Sequence, residues 1–429
     1  MSQYIIEGEA KLSGTIKASG NKNAALPCIA AALLSTDTII LRNVPKIEDV
    51  AVMIEVYRAL GGEAEQTAPG VWRLCTKNIV SSEIPAVLAE KIRASILFAG
   101  PLLAITGKVI LPPPGGDVIG RRRLDTHFLA LTELGARVAS NHNFEFSAIN
   151  SGKLSGADIF LDEASVTATE NAVMAAVTAK GRTILSNAAS EPHIQDLCAM
   201  LNMMGAKIDG TGSNRLIIDG VEKLKGCDFT LGADYMEVGS FIGLAAATGS
   251  EICIEGPTPA DLRPAKVAFN KLGIVWEHEN NTICVSAKQA MRVNTDIGGM
   301  IPKIDDAPWP GFPPDLTSII TVVATQVEGT VLVHEKMFES RMFFVDMLIA
   351  MGARIVLCDP HRAVISGRTQ LVGAPVRSPD VRAGMAMVIA ALCAQGKSTI
   401  SNVYQIERGY ENLSQRLAVL GAKIERKAD

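Results

Sequence analysis

The chain has 429 residues, of which 48% are hydrophobic, 20% charged and 5% aromatic. That balance excludes a disordered chain and predicts about two to four domains with aliphatic cores. The formal net charge of −4 argues against a nucleic-acid-coating protein, which carries a basic excess. No apolar run approaches the ~20 residues of a membrane span, and the opening Met1–Glu7 shows no charged-then-apolar leader. A cytoplasmic protein without a membrane partner is therefore expected. The eight cysteines, at 28, 75, 198, 227, 253, 284, 358 and 393, form no Cys-x-x-Cys. Most of them sit in apolar strands or helices and read as reduced, buried small hydrophobes.

In chain order, one pattern returns six times. Each copy opens with an Ala-rich helix, predicted around 30–34, 97–101, 172–176, 241–245, 320–324 and 387–391. A β-branched strand follows, as in Thr38–Leu41, Lys108–Leu111, Thr183–Leu185 and Thr330–Val333. A second, amphipathic helix then ends in an apolar-Gly phrase. The six phrases are Leu60-Gly61, Leu134-Gly135, Met204-Gly205, Leu272-Gly273, Met351-Gly352 and Leu420-Gly421, about 70–80 residues apart. Glycine there suits a left-handed helix cap, and the alternation after it begins a strand. Six such α/β units build either one closed ring or two groups of three.

In a repeated scaffold, the residues that break the repeat carry the function. Lys22 starts an Ala-rich helix, where the macrodipole disfavours a cation. It either binds an anion together with the helix N-terminus or is an exposed lysine beside a capping Asn21. The loop Pro112–His127 holds Asp117 between paired glycines and three arginines, and reads as a ligand lid or a solvated loop. Arg93 enters an apolar helix. Arg122, Arg341, Arg382 and Arg408 each suit a surface ion pair, but they occupy equivalent ends of the repeat and are predicted to converge on an anionic ligand. Asp315 follows a proline-stiffened segment and is either a base or a helix cap.

Several motifs together carry a resemblance. They are Asn21-Lys22-Asn23-Ala24-Ala25-Leu26-Pro27, Arg93-Ala94-Ser95, Pro114-Gly115-Gly116, Asp125-x-His127 and Ser165-Val166-x-Ala168-Thr169-Glu170-Asn171. Further along stand Trp309-Pro310-x-Phe312-Pro313-x-Asp315, Glu339-x-Arg341, Asp380-Val381-Arg382 and Arg408-Gly409-Tyr410-Glu411. On these residues the chain resembles, end to end, the enolpyruvyl transferase family, and within it the UDP-sugar branch. The resemblance implies an α/β fold, a two-domain inside-out α/β barrel of six βαβαββ-type units, three per domain. One domain would take residues 22–234, with a catalytic loop near 112–123, and the other residues 1–21 plus 235–429.

The implied reaction moves enolpyruvyl from phosphoenolpyruvate to the 3-hydroxyl of UDP-N-acetylglucosamine, the first committed step of peptidoglycan synthesis. It implies no cofactor, no metal, no nucleic acid and a monomer. By the same resemblance Lys22, Arg122 and Arg408 hold the phosphate, and Arg341 and Arg382 hold the carboxylate. Asn23 places the sugar and Asp315 takes its hydroxyl proton. Arg93, Asp125, His127, Ser165 and Val166 line the UDP site.

Two departures stand out. Asp117 occupies the place of the family's usual loop cysteine. It is expected to act as general acid and to leave the protein resistant to fosfomycin, which alkylates that cysteine. Glu163 and Thr167 replace a usual Lys and Gly near the diphosphate. The shikimate-phosphate branch is the alternative enzyme. A clamp-like ring without chemistry is the alternative class, and inner helices rich in Ala, Val and Met rather than Lys and Arg argue against it.

Overall fold

The six glycines of the repeated phrase adopt positive φ, between 69° at Gly273 and 110° at Gly61. In this computed structural model, which describes residues 2–116, 123–140, 143–149 and 152–427, each lies just beyond a helix. Those helices are Glu48–Ala59, Asp125–Glu133, Pro192–Met203, Arg263–Lys271, Val345–Ala350 and Leu413–Val419. Gly205 shows the geometry: its N–H donates to Asn202 O at 3.0 Å, and the Ala206 N–H to Leu201 O at 3.0 Å. A side chain strains that backbone, so glycine lets the chain leave the helix and start a strand within four residues.

Among the described residues the strands form six sheets, five of four strands and one of three. The four-stranded sheets share one plan. In one of them Asp158–Phe160 runs parallel to Arg182–Ser186, which pairs antiparallel with Arg215–Asp219, and that strand pairs with Lys207–Asp209. In the three-stranded sheet a parallel bridge from Glu83 to Ile110 stands in for the missing strand. The chain ends share a sheet, because Gln3–Glu7 pairs antiparallel with both Lys397–Ser401 and Ile424–Lys427.

Each unit also contributes one inner helix: α1 (Lys22–Ala31), α2 (Ala99–Thr106), α3 (Val166–Ala176), α4 (Tyr235–Thr248), α5 (Thr317–Ala324) and α6 (Val381–Cys393). A 3-10 helix, Arg93–Phe98, leads into α2. In α4, Tyr235–Ala246 are buried on every side, and in α5 every residue is. A helix without a polar face is stable only when enclosed.

The chain divides into two compact bodies, with three units in each. The first takes residues 20–116 and 123–232 of those described, and the second residues 2–19 and 233–427. Each has its own aliphatic core. In the second body α4, α5 and α6 pack on one another, with α4 against strand Glu251–Glu255, α5 against Gly329–His334 and α6 against Gln3–Glu7. Helices thus lie inside and sheets outside. Small residues permit the close approach: a Cβ on Gly243 would sit 2.7 Å from Ile319 Cγ2, and one on Gly239 2.8 Å from Leu316 Cδ1. No helix among the described residues is long and apolar enough to cross a membrane.

The structure corrects one expectation about cysteine. Cys253 and Cys284 are joined in a disulfide rather than reduced. They face each other across the antiparallel pair of Glu251–Glu255 and Thr282–Val285. Directly opposed Cβ atoms in such a pair are within bonding reach, a proximity that register creates and sequence spacing conceals. The other six cysteines are free.

Adding a methyl group to the α4–α5 contact tests the packing. Gly243→Ala should cost about 1–3 kcal/mol, measured by urea unfolding, because the core has no void to receive it.

Candidate active site

Several candidate residues, among them Lys22, Ser165, Val166, Asp315 and Arg382, lie at or just before the first turns of inner helices. Helix N-termini expose unpaired N–H groups and the positive end of the helix dipole, which suits anions.

In the first body, Asn21 caps α1 and its side chain accepts the Asn23 N–H at 2.9 Å. Lys22 Nζ is paired with Asp49 Oδ2 at 2.7 Å. Asp49 is 4% exposed and sits in the first turn of Glu48–Ala59. The lysine is therefore pinned in place, with a carboxylate already present as counter-charge. Sequence reasoning missed Asp49; its one signal is a second acidic residue where a helix begins.

Arg93 opens the 3-10 helix and donates to Arg123 O at 3.2 Å. Asp125 is exposed and accepts from Arg123 Nε at 3.1 Å. His127 is 2% exposed. Asn171 Nδ2 donates to its Nδ1 at 3.0 Å, so Nε2 carries the proton and donates to Thr167 Oγ1 at 3.0 Å. Burial, helped by the charge of Arg93, pushes the imidazole down to about 3, which keeps it neutral. Thr167, a departure at the level of sequence, thus holds His127. Asn171 also donates to Ile96 O and accepts the Gly100 N–H, tying α3 to α2 and to the turn before it. Ser165 caps α3 by accepting from Ala168 N, and Val166 is its first residue. Asp117 and Arg122 lie outside the described residues.

The second body holds a tighter cluster. Asp315, in the turn before α5, accepts from Arg341 Nη1 at 2.8 Å and from Arg382 Nε at 3.0 Å. The arginine side chains are 7% and 6% exposed, and Asp315 is 25% exposed. Burial alone would raise the Asp315 carboxyl, but the two guanidiniums hold it well below the ordinary carboxylate range. Arg382 lies in the first turn of α6, capped by Asp380, which accepts the Arg382 and Ala383 N–H groups at 2.8 and 2.9 Å. Its guanidinium also feels Asp234, the cap of α4, and stands over the Tyr410 ring at 5.2 Å. Tyr410 in turn shares a 2.8 Å hydrogen bond with Ser240 of α4. The three inner helices of this body therefore begin together around two buried cations.

Arg341 Nε and Arg382 Nη1 are buried and have no acceptor among the described residues. Such donors are costly unless a ligand completes them. Arg408, 6% exposed, ends helix Tyr404–Glu407 and donates to Gln405 at 3.1 Å. The structure thus brings Asp315, Arg341 and Arg382 together in one cluster.

Comparison with known proteins places this geometry. The family model described as EPSP synthase (3-phosphoshikimate 1-carboxyvinyltransferase) matches residues 6–417. The chain belongs to that family. Among curated relatives, a UDP-N-acetylglucosamine 1-carboxyvinyltransferase of Treponema denticola is 69% identical over 427 residues, covering 100% of both chains. The enzyme of the same name from Treponema pallidum is 62% identical over 424 residues, covering 99% of each. Among solved structures, the enolpyruvyl transferase NikO of Streptomyces tendae aligns with a TM-score of 0.88 at 22% identity, covering 100% of this chain and 99% of that one. An EPSP synthase of Acinetobacter baumannii aligns with a TM-score of 0.75 at 17% identity over the whole of both chains. At such identities the two structures speak for the fold alone: this is the two-domain α/β fold of EPSP synthase family members.

Removing Asp315 leaves two buried cations facing each other. Asp315→Ala should therefore cost about 3 kcal/mol at neutral pH. Because the folded carboxyl is depressed, its contribution is present above the ordinary carboxylate range and is lost as pH falls. The gap in melting temperature between wild type and variant should narrow below about pH 4, followed by circular dichroism.

Proposed function

We propose that this chain is an enolpyruvyl transferase that adds the 3-hydroxyl of UDP-N-acetylglucosamine to phosphoenolpyruvate and releases phosphate, the first committed step of peptidoglycan synthesis. The observation that carries the reading is the 69% identity to a curated enzyme of that activity across both full lengths. The shikimate-phosphate alternative has weaker support, since the EPSP synthase structures share the fold at 17% identity. The chain acts without leaving its own chemical groups: the reaction is an addition followed by an elimination, and needs acids, bases and fixed cations.

Phosphoenolpyruvate carries a carboxylate and a phosphate. Arg341 and Arg382 take the carboxylate, and their unfilled Nε and Nη1 donors support that role. An incoming carboxylate competes with Asp315 for the two forks. As it does so, Asp315 loses the charges that depress its carboxyl, and its basicity rises. The base is thus weak until substrate is bound, then accepts the proton of the sugar hydroxyl. Lys22, Arg122 and Arg408 take the phosphate. Asn23 places the sugar, and Arg93, Asp125, His127, Ser165 and Val166 form the UDP side. The neutral, doubly bonded His127 supports a shaping role for that residue.

In the addition, the sugar oxygen bonds to C2 and Asp117 delivers a proton to the C3 methylene. In the elimination, a C3 proton leaves, the C2–O bond to phosphate breaks and the double bond returns. Convergent cations stabilise the added negative charge throughout. In this reading the chain acts in the cytoplasm as a monomer. Residues 22–234 and 1–21 plus 235–429 would act as its two domains.

Phosphate release from phosphoenolpyruvate tests the reading. UDP-N-acetylglucosamine should support turnover and shikimate 3-phosphate should not; the reverse result sinks the assignment. Asp117→Asn should lower kcat by about 100-fold or more, the usual scale for a general acid. A carboxylate is a poor nucleophile toward the epoxide, so wild type should keep its activity after incubation with fosfomycin, and Asp117→Cys should lose it with time.

A further inference from the structure

Asp306 and Glu335 occupy a position that none of these roles uses. The parallel strands Lys303–Asp305 and Gly329–His334 end in register, with Asp305 opposite His334. Asp306 and Glu335 are the next residues on each. Neighbouring positions in a parallel pair direct their side chains to the same face. Two carboxyls are thereby set side by side, 1% and 0% exposed, and both accept the Met337 N–H at 3.3 Å.

Between them they grip the following loop. Asp306 accepts the N–H of Lys336 at 2.5 Å and that of Met337 at 3.3 Å. Glu335 Oε1 accepts the N–H groups of Met337 at 3.3 Å and Phe338 at 3.2 Å. Three consecutive amides are held, and the Phe338 ring lies 4.7 Å from the Arg341 guanidinium, which binds Asp315. Glu335 Oε2 is buried and accepts no hydrogen bond among the described residues. Two adjacent buried carboxylates repel, whereas one proton between them turns repulsion into a hydrogen bond.

We propose that Asp306 and Glu335 share one proton and, as a unit, position the Lys336–Arg341 loop so that the Arg341 guanidinium stays aimed at its carboxylate ligand. The proposal rests on the reading of Arg341 given above. The other groups around Glu335 fit it. The Thr317 hydroxyl, at the start of α5, and the Arg341 charge face the carboxyl. The His361 ring donates to the Glu335 carbonyl at 2.8 Å. Lys303 and Lys336 are drawn to Asp305, and His334 lies among those charges at the end of its strand. Burial first, then the neighbouring Asp306, push the Glu335 carboxyl above its usual range.

Steady-state kinetics from pH 6 to 9 test the pair with Asp306→Ala, Asp306→Asn, Glu335→Gln and Arg341→Ala. Asp306→Ala should raise KM for phosphoenolpyruvate about tenfold or more and leave KM for the UDP-sugar within about twofold. Glu335→Gln and Asp306→Asn replace the shared proton by an amide N–H. Each should hold KM for phosphoenolpyruvate within about threefold of wild type at neutral pH, and abolish the rise that wild type shows as pH increases toward 9. An unchanged KM in Asp306→Ala, or a Glu335→Gln as impaired as Asp306→Ala, overturns the proposal.

Should Arg341→Ala leave KM for phosphoenolpyruvate unchanged, the role given to Arg341 fails, and thermal melting judges the proton sharing by itself. A carboxyl raised in the folded state contributes most stability at low pH and loses it as pH rises. The wild-type melting temperature should therefore fall between pH 6 and 9, and that slope should flatten in Asp306→Asn. A slope equal to wild type in the variant overturns the pair.

Discussion

Burial of helices that have no polar side is the constraint on which the rest depends. In the second body α4, α5 and α6 are buried on nearly every side, and they meet that need by packing on one another inside three sheets. Close packing demands small residues, which accounts for Gly239 and Gly243 at the α4–α5 contact. It also leaves little room for rings, consistent with a chain that is 5% aromatic. The ends of such helices are places where polar chemistry fits readily. Their first turns present N–H groups, and Asn21, Ser165, Asp234 and Asp380 cap four of them.

Burying cations near those ends carries an electrostatic cost that acids must offset. Arg341 and Arg382 are balanced by Asp315, and Lys22 by Asp49. A buried guanidinium with no counter-charge would be strongly destabilising. The same carboxylates would compete with an anionic substrate in the function proposed above. In the proposed role of Arg341 and Arg382, substrate binding would exchange one carboxylate for another, so that Asp315 stabilises the empty fold without closing the site to a ligand.

The repeat was legible because it is written in local chemistry. Glycine at a helix end and alternation after it recur six times, and all six glycines take positive φ. Arg341 and Arg382 stood out in the sequence as members of one set, but their meeting on Asp315 did not. Nothing near Lys22 in the chain announces Asp49, 27 positions away. His127 read as a ligand-lining residue, while its burial against Asn171 and Thr167 became visible only once α3 was in place. The cysteines read as reduced because no spacing motif links Cys253 to Cys284; strand register set them opposite each other.

By itself the sequence determined the six units, their helices and strands, and the residue types available for an anionic substrate. These follow from propensity, periodicity and glycine geometry, all of which act over a few neighbouring residues. Tertiary structure alone decided which charge meets which. Asp315 and Arg382 are 67 positions apart and touch because two inner helices begin together. Asp306 and Glu335 meet because parallel strands end in register. Coulomb interaction and desolvation depend on separation in space, and distance along the chain carries no record of it.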